Sequence, residues 1–315
     1  MSLRVRVIGA GLMGATHVRL LSTEVSGAEV VAVSDAVAES AERVAGEAGV
    51  TTVYRDGPEL INDPGVDAVV IASPAITHEP FVLACFEAGK PVLCEKPLAA
   101  DAEAGRRVLE AEAALGRRLV QVGFMRRFDP GYVAMKARID GGDLGTPLVV
   151  HCAHRNPNVP PRFDSEMIIT DSVVHEVDTI RWLLGEEIVR VRVLTPRATS
   201  KASEGVQDPQ MVLFETEDGA LIDVEAFVNA QYGYDVRCEV VGEYGTVALT
   251  PPTTVQVRRD GHEGTAVPGG FQTRFSGAYV HELEGWVAAS VAGRPPPGAN
   301  AWDGYAASVV CEAGV

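Results

Sequence analysis

Positive charge is scarce in this chain: 27 lysines and arginines stand against 43 aspartates and glutamates, a net charge of −16. A nucleic-acid partner needs a basic footprint to displace counterions from the phosphates, and an anionic membrane surface makes a similar demand. Neither partner is expected. Cysteine is sparse too. Cys85, Cys94, Cys152, Cys238 and Cys311 are odd in number, and no two stand at metal-ligand spacing. Most lie in apolar runs and read as buried free thiols of a reducing cytosol. No histidine-rich spacing supplies three or four converging ligands, so no metal is expected. No apolar run is long enough to span a bilayer, and no internal repeat is found. The chain enters a strand at its first residues, so no secretory leader is expected and the expected location is cytoplasmic.

What is present is ample apolar material. Of 315 residues, 46% are hydrophobic and 22% charged, enough for two domains or one large one. Apolar, β-branched runs at 4–8, 29–34, 66–72, 91–95 and 118–123 alternate with helical patterns at 14–22, 37–48, 78–88 and 101–115. Asp101 suits a helix N-cap and Gly116 a stop. Such alternation predicts a doubly wound parallel sheet, a Rossmann domain over 1–122. Beyond it, helices are expected at 130–140, 171–184 and 278–292, and strands at 147–154, 188–195, 210–216, 219–229, 234–241 and 245–249. Short turns between these strands predict an α+β domain over 123–315, with a large, mostly antiparallel open sheet. The stretch 251–270 reads as exposed, and the chain ends within or just after a helix.

The first strand runs straight into Gly9-Ala10-Gly11-Leu12-Met13-Gly14. In this pattern Gly9 permits a tight turn, Gly11 admits a pyrophosphate close to the backbone, and Gly14 lets helix pack on strand. The phosphates would lie at a helix N-terminus. Asp35, about twenty residues on, is spaced to hold a ribose 2′-hydroxyl and to repel a 2′-phosphate, which favours NAD over NADP. Asp35 alone also reads as a helix N-cap. Arg43 lies too far along the next helix to rescue NADP binding.

Lys96 follows another apolar strand, in Val92-Leu93-Cys94-Glu95-Lys96-Pro97. Ligands gather at the carboxyl ends of strands in such sheets, so an ammonium there suits stabilisation of a partial oxyanion during hydride transfer. A surface lysine is the plainer alternative. Asp171 and His175 stand four apart, on one face of a helix, where a carboxylate can orient an imidazole base. An ordinary surface pair has the same spacing. Glu176 and Asp178 face elsewhere and are expected in solvent. Arg126 and Arg127 suit substrate, cofactor, Asp129 or a domain-junction ion pair.

Together, Gly9-x-Gly11-x-x-Gly14, Glu95-Lys96-Pro97, Gly123-Phe124-Met125-Arg126-Arg127-Phe128-Asp129 and Thr170-Asp171-x-x-x-His175-Glu176 resemble the glucose–fructose oxidoreductase, inositol dehydrogenase and MocA (Gfo/Idh/MocA) family. Three runs are most similar to its inositol 2-dehydrogenases: 125–132, His151-Cys152-Ala153-His154-Arg155-Asn156-Pro157 and Gln231-Tyr232-Gly233-Tyr234-Asp235. The resemblance covers nearly the whole chain and is weakest over 196–208 and 251–277. It implies NAD-dependent oxidation of myo-inositol to its 2-keto form, with another cyclitol or an aldose as the alternative substrate. A non-catalytic NAD sensor is the alternative of a different class. The implied cofactor-binding residues are Gly9, Gly11, Leu12, Met13, Gly14, Asp35, Ser73, Glu95 and Lys96. His175 would be the base, with Asp171 orienting it. Lys96 would hold the reacting oxygen, and Arg126, Asn156 and Tyr234 would approach the other hydroxyls of the polyol. A homotetramer with packed open sheets is implied as well, and the apolar alternation over 221–228 is compatible with a covered outer face. The family's C-terminal tail is expected to run further than this chain does.

Overall fold

The computed structural model describes residues 2–55, 61–250 and 255–315. The chain divides into two units, Met1–Met125 with Tyr279–Val309, and Arg126–Ala278 with Val310–Val315.

In the first unit, β1 (Leu3–Ile8), β2 (Ala28–Ser34), β3 (Val53–Tyr54), β4 (Ala68–Ile71), β5 (Val92–Glu95) and β6 (Val120–Gly123) form one parallel sheet. The strand order is β3-β2-β1-β4-β5-β6. In this doubly wound arrangement the strand order reverses between β1 and β4, and it is there, beyond the strand carboxyl ends, that a ligand crevice is expected. The strands are short apolar runs; every residue of β4 and β5 is buried, as a sheet covered on both faces requires. Among the crossover helices are α1 (Leu12–Thr23), α2 (Ala38–Glu47), α3 (His78–Glu87) and α4 (Ala102–Leu115). Asp101 caps α4, its carboxylate accepting from the Ala104 amide at 2.7 Å, and Gly116 ends it at φ +64°. The two-residue β3 is too short to show in hydrophobic patterning.

Residues Tyr279–Val309 belong to this first unit, whereas a division at 122 assigns them to the second. Their return is visible in the contacts. Ala299 forms an antiparallel bridge with Val122, and Gly298 donates to the Gln121 side chain. Gly304 packs so closely on Leu98 that a Cβ there would lie 2.7 Å from the leucine Cβ. They fall in or between α7 (Ser276–Val291) and α8 (Ala301–Gly314). An apolar helix pattern does not say which sheet it covers.

In the second unit, α5 (Pro130–Asp140) precedes a sheet of β7 (Pro147–Arg155), β8 (Ile188–Leu194), β9 (Gln210–Thr216), β10 (Leu221–Phe227), β11 (Asp235–Gly242) and β12 (Thr246–Ala248). The order is β12-β11-β7-β10-β9-β8, and β7–β10 is the parallel pair in an otherwise antiparallel set. The apolar alternation of β10 faces the unit's own core: Ile222, Val224, Ala226 and Val228 are all buried. The opposite face carries exposed Leu221, with Asp223 beside His151 at 2.5 Å and Glu225 bound by Arg155. The alternation therefore says nothing of an outer cover.

Of the stretch 251–270, residues 251–254 lie outside the described residues; the remainder holds an exposed hairpin, β13 (Gln256–Arg259) and β14 (His262–Thr265). The helix expected from 171 starts earlier. A short helical turn Ser165–Met167 passes into a π-helical turn Ile168–Val173 and then into α6 (Val174–Leu184). No described helix is long and apolar enough to cross a membrane.

Candidate active site

A cavity of about 530 Å³ opens in the first unit beyond β1, β2 and β4. Its wall includes Gly9, Gly11, Asp35, Val37, Arg55, Ser73, Pro74 and Thr77. Gly9 takes φ +96°, and a Cβ there would lie 2.5 Å from the Ala72 and Ser73 backbone. The turn thus passes tightly over the end of β4. A Cβ on Gly14 would stand 1.8 Å from the Gly9 oxygen, so α1 seats directly on the loop. Around Gly11 there is open space, with nothing within 4 Å of a Cβ position. Gly11 also caps α1 without any side-chain acceptor, and no acidic residue lies in the helix's first turn. Exposed amide N–H groups and an open approach are what a pyrophosphate needs. Leu12 is exposed and Met13 half-buried beside that end.

Asp35 is not the cap of α2; Val37 takes that place. One Asp35 oxygen accepts from the Ala10 amide at 2.7 Å and the other from the Val37 amide at 2.8 Å. The carboxylate thereby joins the glycine loop to the end of β2 while standing in the cavity wall. Arg43 is turned to Glu47 at 3.0 Å on the exposed side of α2. Arg55, which sequence patterning did not single out, is the arginine that lines the cavity. Ser73 also lines the cavity, its hydroxyl 2.6 Å from that of Thr77.

Lys96 directly follows β5 and is half-buried. Glu95, expected at the cofactor, is buried: one carboxylate oxygen lies 2.7 Å from His17 Nε2 and the other accepts from the Lys96 amide at 3.3 Å. Gly123 makes room for it, since a Cβ there would meet that carboxylate at 3.1 Å. His78 lies between two carbonyls, Nδ1 at 2.7 Å from the Pro97 oxygen and Nε2 at 2.8 Å from the Ser73 oxygen. Burial pushes its pKa below the ordinary value, against the pull of both carbonyls. Cys94 is fully buried and its thiol is raised well above the ordinary value by burial, so it packs rather than reacts.

The polar residues of the second unit form a dense cluster. Arg126 is 1% exposed and ion-paired with Glu176, and its Nη2 lies 3.2 Å from His154 Nδ1. Its guanidinium also stacks near Tyr132 and Phe275. Arg127 binds Asp178 through two contacts of 2.6 and 3.0 Å. Glu176 and Asp178 are each 1% exposed. This overturns the expectation that they face solvent: the two arginines, some fifty residues earlier in the chain, neutralise them inside. Burial alone would raise the Glu176 carboxyl, but Arg126 and His154 outweigh it and bring it down to about 2. Burial also opposes the Arg126 charge, yet Glu176 holds its pKa well above the ordinary value. Asp129 pairs with neither neighbouring arginine; it accepts from the Tyr132 amide at the start of α5 and from Arg274 at 2.7 Å.

His154 links this cluster to the expected base. Its ring centroid is 6.3 Å from that of His175 and 5.9 Å from that of Tyr234. Burial raises the Tyr234 phenol, with Arg126 pulling against it. His175 opens α6 and is 8% exposed; Asp171 lies in the preceding π turn and is half-buried. A π turn widens a helix locally and often marks a functional site. Asn156 follows β7, with its side-chain oxygen buried and without a hydrogen-bond donor among the described residues. The structure therefore gathers His154, His175, Tyr234, Arg126 and Glu176 in one neighbourhood. His154 and Glu176 were missed as site neighbours; the alternation of β7 and the i,i+1 step from His175 were the only signals for them.

Residues 3–124 match the family described as oxidoreductase family, NAD-binding Rossmann fold, and residues 132–248 match the GFO/IDH/MocA C-terminal domain. The chain is 55% identical over 314 residues to inositol 2-dehydrogenase 1 of Saccharopolyspora erythraea, covering 99% of this chain and 93% of that protein. It is 49% identical to inositol 2-dehydrogenase of Pseudomonas fluorescens, with the same coverage. Among solved structures, myo-inositol dehydrogenase from Lactobacillus casei in complex with NAD(H) and myo-inositol superimposes with a TM-score of 0.97 at 38% identity, over 100% of this chain and 94% of that one. Scyllo-inositol dehydrogenase from the same organism, with NAD(H) and scyllo-inositol, gives 0.92 at 25% identity, over 100% and 96%.

Proposed function

The chain belongs to the Gfo/Idh/MocA oxidoreductase family, and from that premise we propose that it oxidises myo-inositol to 2-keto-myo-inositol with NAD as hydride acceptor. The observation that carries the cofactor half is the glycine-walled cavity, with open space at Gly11 and Asp35 in its wall. When bound there, NAD supplies the acceptor for the carbinol hydride. The substrate half rests on the full-length likeness to inositol 2-dehydrogenases.

In this reading His175 takes the hydroxyl proton as the hydride leaves the same carbinol, and Asp171 orients that imidazole. Lys96 steadies the partial negative charge on the reacting oxygen. The reaction balances as alcohol and oxidised cofactor to ketone, reduced cofactor and one proton held on His175. Tyr234, Arg126 and Asn156 serve recognition. The buried Asn156 oxygen lacking a donor supports hydroxyl recognition, since a polyol offers donors wherever it turns. Arg126 acts at one remove, fixing Glu176 and His154.

The deciding experiment follows reduced-cofactor absorbance over a panel of inositol isomers and aldoses, with NAD and then NADP. The highest kcat/KM is expected for myo-inositol with NAD. A preference for scyllo-inositol or an aldose overturns the substrate, and equal use of NADP overturns the role of Asp35 and turns attention to Arg55. Lys96→Ala should lose about 3 kcal/mol of transition-state stabilisation. His175→Ala should lose on the order of 10² to 10⁴ in rate. We also propose a homotetramer working in the cytoplasm; a monomeric mass by light scattering would overturn the assembly.

A further inference from the structure

Lys96 is a long side chain, so the place of its ammonium depends on where its backbone is held. The flank before it is fixed by the Glu95 carboxylate, which accepts from the Lys96 amide at 3.3 Å and is itself held by His17 at 2.7 Å. The flank after it meets His78. This imidazole is 1% exposed at the start of α3, with Nδ1 2.7 Å from the Pro97 oxygen and Nε2 2.8 Å from the Ser73 oxygen. Pro97 is joined to Lys96, and Ser73 is part of the cavity wall. Here one ring spans the ends of β4 and β5, touching both loops through main-chain oxygens alone.

We propose that His78 is a positioning residue: donating from the start of α3 to the Pro97 oxygen, it holds the turn that carries Lys96, and so sets where the ammonium stands relative to the cofactor site. The proposal rests on the catalytic reading of Lys96 given above. A neutral ring donates to one carbonyl at a time, and the Pro97 contact is the one that holds the lysine. Misplacement of a reacting group by about 1 Å can cost on the order of 10²-fold in rate.

The test uses the whole enzyme and three substitutions. An asparagine amide can occupy the place of Nδ1 and reach Pro97; a glutamine amide can occupy the place of Nε2 and reach Ser73; leucine reaches neither. His78→Asn is expected to keep a kcat close to the wild type. His78→Gln and His78→Leu should lower kcat by roughly 10²-fold, while NADH affinity, read by fluorescence, stays near the wild type. In NAD-free protein, hydrogen exchange of the Lys96, Leu98 and Ala99 amides should quicken in the glutamine and leucine variants but not in the asparagine variant. Should His78→Leu fail to fold, the asparagine and glutamine pair decides alone. Equal kcat and equal exchange in that pair would overturn the proposal. So would losses of kcat and NADH affinity in the same proportion. Wild-type turnover in Lys96→Ala would sink the catalytic reading instead, and the exchange data would still judge the tie.

Discussion

Around the cavity of the first unit, the main chain shapes the approach: the Gly9 turn, the open N-terminus of α1 and the loop at Ser73. In the second unit the corresponding chemistry belongs to side chains: Arg126 with Glu176 and His154, and Arg127 with Asp178, all largely buried. The two kinds of construction fail in different ways. A backbone site is spoiled by adding an atom, whereas a buried charge cluster is spoiled by removing one. Backbone N–H groups at a helix N-terminus carry no net charge and serve any anion, while a buried ion pair stands only as long as both partners are present.

The largest effect is therefore expected in the second unit. Glu176→Ala leaves Arg126 charged in the core and should cost about 3–5 kcal/mol in urea unfolding. A cost below 1 kcal/mol would mean that the cluster is hydrated and that the contrast between the units is false. Acid exposes the same pair. The Glu176 carboxyl falls from an ordinary 4.5 to about 2 in the folded protein. A depressed carboxyl contributes fully above its unfolded pKa and loses its contribution as pH falls through the folded one, so the window runs from pH 4.5 down to about 2. In Glu176→Gln the acid-dependent loss of stability should shrink by roughly 3 kcal/mol. An unchanged slope would remove Glu176 from the account.

The same contrast explains what could be read in the amino acids. The glycine loop, the alternation of strand and helix, Asp101 and Gly116 declare themselves locally, because turn chemistry and apolar period act over a few residues. The parallel pairing of the first unit's sheet follows from that alternation. Glu176 and Asp178 read as solvated because nothing near them in the chain shows Arg126 and Arg127 folding back onto them. Residues 171–173 read as ordinary helix, since a π turn has no signature in hydrophobic period. The return of Tyr279–Val309 to the first unit depends on which surface a helix finds, as Ala299 finds Val122. The pairing of Arg126 with Glu176, fifty positions away, is likewise invisible in the local sequence.

A middle-sized effect belongs to Gly14. Its missing Cβ would lie 1.8 Å from a backbone oxygen, and backbone cannot swing aside as a side-chain tip can. Gly14→Ala should cost about 1–3 kcal/mol, the range for forced overpacking, and should weaken NAD as the loop is pushed off α1. A stable variant with unchanged NAD affinity would show that helix and loop can part without harm.

Gly11 gives the smallest expected change in stability and the sharpest comparison. No atom lies within 4 Å of its Cβ position, and its φ of −73° suits any residue. Gly11→Ala should therefore leave stability within about 0.5 kcal/mol of the wild type, as for a substitution that meets no neighbour. If the space at Gly11 is where a pyrophosphate approaches the main chain, the same methyl group should weaken NADH binding by tenfold or so, about 1.4 kcal/mol. Calorimetric unfolding and NADH titration on one preparation separate the two quantities. Loss of affinity without loss of stability marks the space as a ligand's. Unchanged affinity would mean that the cofactor keeps clear of Gly11, and the cavity wall would then owe its shape to folding alone.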